Sequence, residues 1–144
     1  MPRNLLTDIP GVAVGNVEDL AFGSGVTAIL FDQPAVAAVS ILGGAPGSRD
    51  APMLAPENTV AAVHAIVLSG GSAYGLDAAG GVQAWLREQG RGIVLRGALI
   101  PLVPQAIRGD RVKGGNKDWG RFSPYRDMGY AAAVAAHDSE FTLG

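Results

Sequence analysis

The sequence predicts an α+β domain in which sheet and helices form layers. Strand-like segments are concentrated in the first half of the chain, and the two longer helix-like segments lie in the second half. This order is typical of α+β and layered sandwich folds rather than of a strict β-α-β alternation. The 144 residues suffice for one domain with a sizeable core, and no internal repeat is visible.

Three predicted strands, a loop and a short helix make up the first part of the chain. Residues 12–17 alternate and predict a short strand, and residues 26–31 predict a second. The spacing of a third run, residues 35–42, predicts an antiparallel hairpin with the second strand. Residues 43–50 form a glycine- and proline-rich loop of a kind that often carries function, and residues 56–63 predict a short helix.

A strand, a glycine turn and a helix then follow one another without a break. The apolar run 65–68 is short and continuous, which predicts a strand covered on both faces. Gly70 and Gly71 allow positive φ and let a ligand or a neighbouring chain approach the backbone, while Ser72 is placed to cap the next helix. Uncovered N–H groups at such a helix start attract negative charge, so we expect an anion-tolerant pocket there.

The principal helix is predicted over residues 73–89. Gly75, Gly80 and Gly81 lie inside it, and each costs about 1 kcal/mol relative to alanine. We therefore expect close packing of the helix backbone on the sheet to offset this cost, and Gly90 to end the helix as its C′ residue. The apolar stripe of the helix consists of Leu76, Ala79, Val82, Trp85 and Leu86.

The last third of the chain is predicted to hold further strand and helix. Residues 93–103 supply strand material, and residues 105–125 form an irregular polar segment. An alanine-rich helix is predicted over residues 126–136. The second helix completes the α+β pattern.

Composition limits the possible partners. With 48% hydrophobic residues, 17% charged residues and a mean hydropathy of +0.23, the chain is apolar for a globular domain, so we expect large buried interfaces and a homo-oligomer. The net charge is −2, and the basic residues are scattered apart from a loose group at 108–117, which argues against a nucleic-acid partner. The chain shows no signal peptide and no apolar run of membrane-spanning length, so we expect a cytoplasmic protein without a membrane partner.

The sequence also argues against metal and cofactor sites. The absence of cysteine excludes a disulfide framework, a zinc–thiolate site and a cysteine nucleophile. His64 and His137 have no companion ligands nearby in the sequence, so we expect structural roles and no metal site. Residues 23–28 fit a dinucleotide fingerprint only loosely, because a strand follows them, and residues 114–117 lack the spacing and the hydroxyl of a phosphate loop.

Ser72 is a candidate nucleophile with an incomplete motif. A nucleophile elbow has the pattern Gly-x-Ser-x-Gly, but here the second glycine, Gly75, comes one position late. The order of Ser72, then Asp110 or Asp118, then His137 matches that of α/β-hydrolases, although the chain is short for that fold. We therefore favour a capping or pocket-lining role for Ser72 and keep a small Ser72 esterase as a minor alternative.

Four sequence blocks together carry a family resemblance over nearly the whole chain. They are NLLTDIPGVAVG at 4–15, GGAPGSR at 43–49, HAIVLSGGSAYGLDAA at 64–79, and KDWG at 117–120 with PYRDMGYAAA at 124–133. The combination resembles the N-terminal part of the DmpA-type L-aminopeptidase/D-esterase family, which also contains β-peptidyl aminopeptidases and nylon-oligomer hydrolases.

The resemblance implies an N-terminal-nucleophile-like hydrolase with an αββα layered sandwich. Such a precursor cuts itself before a serine or threonine, whose hydroxyl then attacks amides or esters while its new α-amino group serves as general base. In such proteins the nucleophile lies beyond the position of Gly144. Residues 1–144 are therefore expected to form a single partial domain without a catalytic residue, metal or cofactor, and to be inactive alone.

The resemblance also implies a binding site and partners. It assigns Gly70, Gly71, Ser72 and Tyr74 to the wall of the substrate pocket. The expected partners are the C-terminal chain or segment of the same precursor and a small peptide or amino acid amide as substrate. The leading hypothesis is thus the N-terminal portion of an autoprocessing aminopeptidase or amidohydrolase that supplies scaffold and cleft surface.

The sequence departs from the family pattern at four positions. Arg108-Gly109 replaces a hydrophobic–aromatic pair, Gly80 stands where aspartate is common, and Asn16 stands where histidine is common. These differences leave open a second hypothesis from another class. In it, the chain is a non-catalytic small-ligand-binding or assembly protein that retains the scaffold.

Overall fold

The computed structural model describes residues 3–142, which form a five-stranded mixed sheet, a two-stranded ribbon and two α-helices. The strands are β1 (Val12–Asp19), β2 (Ser24–Ala35), β3 (Ser48–Arg49), β4 (Val63–Ser69), β5 (Ile93–Leu95), β6 (Ala98–Ile100) and β7 (Gln105–Ile107). The α-helices are α1 (Ala78–Glu88) and α2 (Tyr125–Val134), and short 3₁₀ helices cover Leu6–Asp8, Ala51–Leu54 and Ser72–Asp77. Within the described residues, no helix is long and apolar enough to cross a membrane.

The main sheet has the strand order β1-β2-β4-β7-β3. β2 pairs antiparallel with both β1 and β4, β4 pairs parallel with β7, and β3 pairs antiparallel with β7. β5 and β6 form a separate antiparallel hairpin. A mixed sheet with helices outside the strand alternation confirms the predicted α+β class.

Both helices pack on one face of the sheet. On this face Val26, Ala28 and Leu30 of β2 and Ala65 and Val67 of β4 are buried. The helix residues that join the same cluster are Ala78, Ala79, Val82 and Leu86 of α1 and Met128, Ala132 and Ala133 of α2. The predicted stripe on the principal helix therefore does face the core.

Neither α-helix packs on the opposite face of the sheet, so the described residues cover the run 65–68 fully on one face only, and the expected cover on its second face is not seen among them. Ile29 lies opposite Ile66, and Thr27 lies opposite Leu68, on this open face. The Leu68 side chain is 46% exposed. A short apolar run therefore predicts a hydrophobic strand, but it does not tell what covers each face of that strand.

The predicted hairpin of residues 26–31 with 35–42 does not form. β2 ends at Ala35, and residues 36–42 are not in a strand. Both edges of β2 are already hydrogen-bonded to β1 and β4, so no edge is free for a third partner.

The short helix predicted at 56–63 is also absent. A 3₁₀ helix, Ala51–Leu54, precedes the segment and β4 takes over at Val63. Asn58 closes a turn between them, because its backbone N–H donates to the Ala55 carbonyl and its side-chain amide donates to the Pro52 carbonyl.

The principal helix begins later as an α-helix than predicted. Its first turns are the 3₁₀ helix Ser72–Asp77, and the α-helix runs from Ala78. The buried Gln105 side chain from β7 explains the switch, since it donates to the Gly75 carbonyl at 2.6 Å and accepts from the Ala79 N–H at 3.0 Å. Gly90 has φ +69° and donates to the Arg87 carbonyl, as predicted for the C′ residue.

Glycines allow α1 and α2 to pack with their backbones in contact. A Cβ atom at Gly81 would lie 1.9 Å from the Arg126 carbonyl oxygen, and one at Gly129 would lie 2.1 Å from the Ala78 carbonyl oxygen. Close packing thus accounts for Gly81, but its partner is the second helix and not the sheet as expected.

Replacing Gly81 with alanine is expected to lower the free energy of unfolding by about 1–3 kcal/mol, because the new methyl group must push the helices apart. Gly80→Ala is the matched control, since the nearest atoms to its Cβ are arginine side-chain nitrogens at 3.5 Å. That change should be neutral or stabilise by up to about 1 kcal/mol. Urea unfolding of both variants measures the difference, and equal destabilisation would contradict the helix contact.

Candidate functional site

The turn after β4 is built around the buried carboxylate of Asp110. The Gly71 N–H donates to Asp110 Oδ1 at 2.6 Å, and the Ser24 hydroxyl donates to Asp110 Oδ2 at 2.7 Å. The Tyr125 hydroxyl in turn donates to Ser24 Oγ at 2.8 Å. A phenol, a hydroxyl and a carboxylate are thus connected in one chain of hydrogen bonds that joins β2, α2 and the segments after β4 and β7.

Only glycine fits at the two positions of the turn that contact this network. A Cβ atom at Gly70 would lie 2.0 Å from both Asp110 Oδ2 and Ser24 Oγ. At Gly71 a Cβ atom would lie 2.2 Å from Cζ of Tyr125, and the backbone has φ +93°. The glycine pair therefore makes room for side chains of the same domain.

The backbone after β7 is hydrogen-bonded to the same turn. Arg108 N–H donates to the Ser69 carbonyl at 2.8 Å, and Ser72 N–H donates to the Arg108 carbonyl at 3.0 Å. The Arg111 N–H lies 3.4 Å from Ser72 Oγ, which accepts from it. The predicted capping role of Ser72 is wrong, because Gly71 holds the N-cap position and the Ser72 hydroxyl contacts this loop instead.

A cluster of aromatic rings lies beside the turn. Tyr74 and Trp119 meet edge to face with their ring centroids 5.2 Å apart, and Phe22 and Tyr125 extend the cluster. The Arg111 guanidinium carbon lies 4.0 Å from the Trp119 ring centroid and 5.3 Å from that of Tyr74. Cation–π contact of this kind orders the loop that carries Asp110.

An open cleft of about 530 Å³ borders the network. Its walls come from the ends of β1, β2 and β4 and from the loop after β7. The lining includes three residues of the open sheet face, Asn16, Thr27 and Leu68. It also includes two residues of the hydrogen-bond network, Ser24 and Asp110. The cleft thus lies where the open sheet face meets the glycine turn.

The four residues assigned to the pocket wall occupy different places. Gly70 lines the cleft, whereas Gly71 is buried behind it against Tyr125. Ser72 is half-buried against the loop after β7, and Tyr74 is exposed beside Arg111. Their role in binding substrate stays a prediction.

Neither histidine is hydrogen-bonded to Ser72. Leu102 N–H donates to His64 Nδ1, and His137 Nδ1 lies 2.8 Å from Ser139 Oγ. Among the hydrogen bonds of the described residues, none joins Ser72 to a general base. This geometry gives no support to Ser72 as a nucleophile.

Sequence reasoning did not foresee the partnership of Ser24, Asp110 and Tyr125. Ser24 and Asp110 are 86 positions apart, so no local spacing relates them. The available signal was the Gly70-Gly71 pair, which indicated a close approach to the backbone without identifying the neighbour.

The environment fixes the protonation of two groups. Burial raises the pKa of Tyr125, and the nearby Asp110 carboxylate raises it further, while the hydrogen bond with Ser24 acts in the opposite direction. Tyr125 therefore remains a hydrogen-bond donor at neutral pH. Burial, followed by the charge of Arg91, lowers the pKa of His64 below 6.5.

No group of three or more histidine, cysteine, aspartate or glutamate side chains within residues 3–142 could hold a metal ion. The arrangement is an open cleft with polar and apolar walls beside a buried carboxylate. Fold and site together define an α+β domain with a cleft beside the glycine turn.

The chain belongs to peptidase family S58, whose family model matches residues 4–144. This confirms the resemblance to the DmpA-type family. The chain is 42% identical over 146 aligned residues to an uncharacterized aminopeptidase of Mycobacterium leprae, which covers 96% of this chain and 39% of that protein. Uncharacterized aminopeptidases of Mycobacterium bovis and Mycobacterium tuberculosis are each 42% identical over 141 residues, covering 92% of this chain and 40% of each relative. The chain thus spans about two fifths of the length of the curated relatives it matches.

Asp110→Asn is expected to destabilise the domain by about 1–3 kcal/mol, because an amide offers one oxygen where two donors now meet two oxygens. Asp118→Asn serves as the matched control, since Asp118 is exposed on the same connection. Chemical denaturation of the two variants makes the comparison. Equal stability of Asp110→Asn and the wild type would rule out the proposed role of the carboxylate.

Lowering the pH is expected to destabilise the fold through His64. Because the folded-state pKa lies below 6.5, the unfolded chain binds a proton that the folded chain does not. The contribution of neutral His64 is therefore complete above pH 6.5 and is lost as pH falls from there through the folded-state pKa. His64→Asn keeps an acceptor near Nδ1 and should flatten the dependence of unfolding free energy on pH between about 7.5 and 5. A titration of the His64 ring by NMR that ends above 6.5 would contradict this.

Proposed function

We propose that the chain is the N-terminal portion of an autoprocessing S58 aminopeptidase that acts on N-terminal amide or ester bonds. In this proposal the chain supplies one wall of the substrate cleft and one half of an αββα sandwich. The nucleophile is a serine or threonine in sequence that follows the position of Gly144. Membership in peptidase family S58 and the aminopeptidase names of the relatives support the peptidase class.

The one-sided packing of the sheet carries the proposal. Helices cover one face, whereas the other presents half-buried Ile29 and Ile66 and a Leu68 that is 46% exposed. Paired sheets pack about 10 Å apart with interdigitating side chains, and this apolar face offers such a surface. A second sheet from the rest of the protein would complete the layers.

The position of the cleft fits this arrangement. Asn16, Thr27 and Leu68 belong both to the open face and to the cleft lining. A sheet that docks on the open face would therefore roof the cleft and bring its own residues opposite Ser24 and Asp110. Such a site between two layers excludes water from a reacting amide, which strengthens the electrostatic interactions there.

Two hydrogen bonds fix the Ser24 hydroxyl in this setting. Its hydroxyl proton is directed to Asp110 and its oxygen accepts from Tyr125. Both neighbours hold the hydroxyl in place within the wall of the cleft. We assign Ser24 a structural role and expect the attacking group to come from the missing layer.

Complementation tests the proposal. The chain is mixed or co-expressed with a separately produced C-terminal portion of the same precursor, and release of nitroaniline from a panel of aminoacyl-p-nitroanilides is followed. We expect turnover in the mixture and none from either part alone. A Gly70→Ala chain, whose Cβ would lie 2.0 Å from Asp110 Oδ2, is the control that should fail to complement.

Two outcomes would contradict the proposal. Steady turnover by the chain alone, with labelling of Ser72 by an organophosphonate probe, would restore the small-esterase hypothesis. Stabilisation of the chain by amino acid amides or carboxylates, with no turnover after complementation across the panel, would favour the non-catalytic binding protein.

A further inference from the structure

Basic and acidic side chains line the cleft from different segments of the chain. Arg108 and Lys113 line it from the loop after β7, and Glu18 and Asp19 line it from the end of β1. In the sheet order, β1 and β7 are separated by β2 and β4. Three strand spacings of about 4.8 Å put the end of β7, which Arg108 directly follows, about 14 Å from β1. This exceeds the Debye length of about 8–10 Å at physiological salt, so the carboxylates of β1 do not neutralise Arg108.

The two cations of the loop after β7 are available to a ligand. Arg108 and Lys113 are exposed, and neither side chain has a hydrogen bond or ion pair within residues 3–142. Arg111 in the same loop differs, because its guanidinium donates to the Lys117 carbonyl at 2.8 Å and stacks on Trp119. In this loop, Arg111 is therefore engaged in contacts within the domain, whereas Arg108 and Lys113 line the cleft without a partner among the described residues.

Within residues 3–142, no ion pair joins the acidic groups of the cleft to these cations. Both oxygens of Asp110 already accept hydrogen bonds, from Gly71 N–H and the Ser24 hydroxyl. Asp19 Oδ1 accepts from Phe22 N–H at 2.8 Å in the turn between β1 and β2. Glu18 lies on β1, opposite Gly25 in the strand register.

The geometry points to Arg108 and Lys113 as specificity residues that bind a carboxylate of the substrate. The inference deepens the proposed function, on which it rests, by naming peptides or amides that carry a carboxylate as the substrate class. Arginine presents a planar fork that matches a carboxylate, and lysine adds a point charge. The carboxylate can be the C-terminus of a short peptide or an acidic side chain, and both present the same group to the two cations.

Binding of defined peptides to the full chain tests the inference. The probes are Ala-Ala-Ala, its C-terminal amide and the amide of Ala-Glu-Ala, with dissociation constants measured by isothermal titration calorimetry. We expect the free acid to bind about tenfold more tightly than the neutral amide, an advantage that shrinks as salt is raised. Equally tight binding of the Ala-Glu-Ala amide assigns the site to side-chain carboxylates as well, whereas its failure assigns it to the C-terminus.

Matched variants test which side chains cause the preference for the free acid. Arg108→Gln and Lys113→Gln should each reduce the preference for the acid by about threefold to tenfold. Arg121→Gln, which removes an exposed cation outside the cleft lining, should leave the preference unchanged. Equal binding of acid and amide, an unchanged preference in Arg108→Gln, or no binding of any probe overturns the inference.

The test separates this inference from the proposed function. Peptide binding by the chain needs no nucleophile, so a failed complementation leaves the binding result standing. In a complemented enzyme, Arg108→Gln should raise KM for carboxylate-bearing substrates with little change in kcat. A loss of kcat for neutral and acidic substrates alike would show a structural effect and contradict a role in specificity.

Discussion

The buried carboxylate of Asp110 is the interaction on which the rest of the structure depends. It accepts from the Gly71 backbone and from Ser24, and through Ser24 it reaches Tyr125 at the start of α2. A buried charge is tolerated only where hydrogen bonds satisfy it, so each partner must stay in place. The turn after β4, the start of β2 and the second helix are consequently fixed relative to one another.

The same constraint shapes the cleft. The glycine pair lets the Asp110 network pack directly against the turn, and the backbone bonds between Arg108 and the turn hold the following loop beside it. The loop is thereby placed with Arg108 and Lys113 along the cleft. Groups that hold the turn and groups that line the cleft thus lie close together in this short segment.

The two faces of the sheet differ in how they are covered. The helix-covered face is a complete core, closed by backbone contact between α1 and α2 at Gly81 and Gly129. On the other face Ile29 and Ile66 are half-buried and Leu68 is exposed, with the cleft at the edge of this face. The proposed role as one layer of a larger hydrolase rests on this difference between the two faces.

Local patterns in the sequence predicted what depends on neighbours in the chain. The first two strands, the strand–turn–helix unit and the helix end at Gly90 follow from periodicity and glycine placement. The predicted strand at 35–42 failed because periodicity does not tell which edges of β2 are taken.

The features that the sequence did not predict depend on contacts between residues far apart in the chain. The early 3₁₀ turns depend on Gln105, which comes from a strand 30 positions after Gly75 in the chain. The pairing of Ser24 with Asp110 spans 86 positions. Such contacts are chosen by the tertiary fold, and a single sequence does not display them.

Hydrogen exchange at the Gly71 amide tests the central role of Asp110 most directly. The account predicts that this amide, which donates to the buried carboxylate at 2.6 Å, exchanges as slowly as the Val67 amide in the core strand β4. Exchange at the rate of the exposed loop at residues 43–46 would show that the turn is not held by Asp110 and would contradict the account.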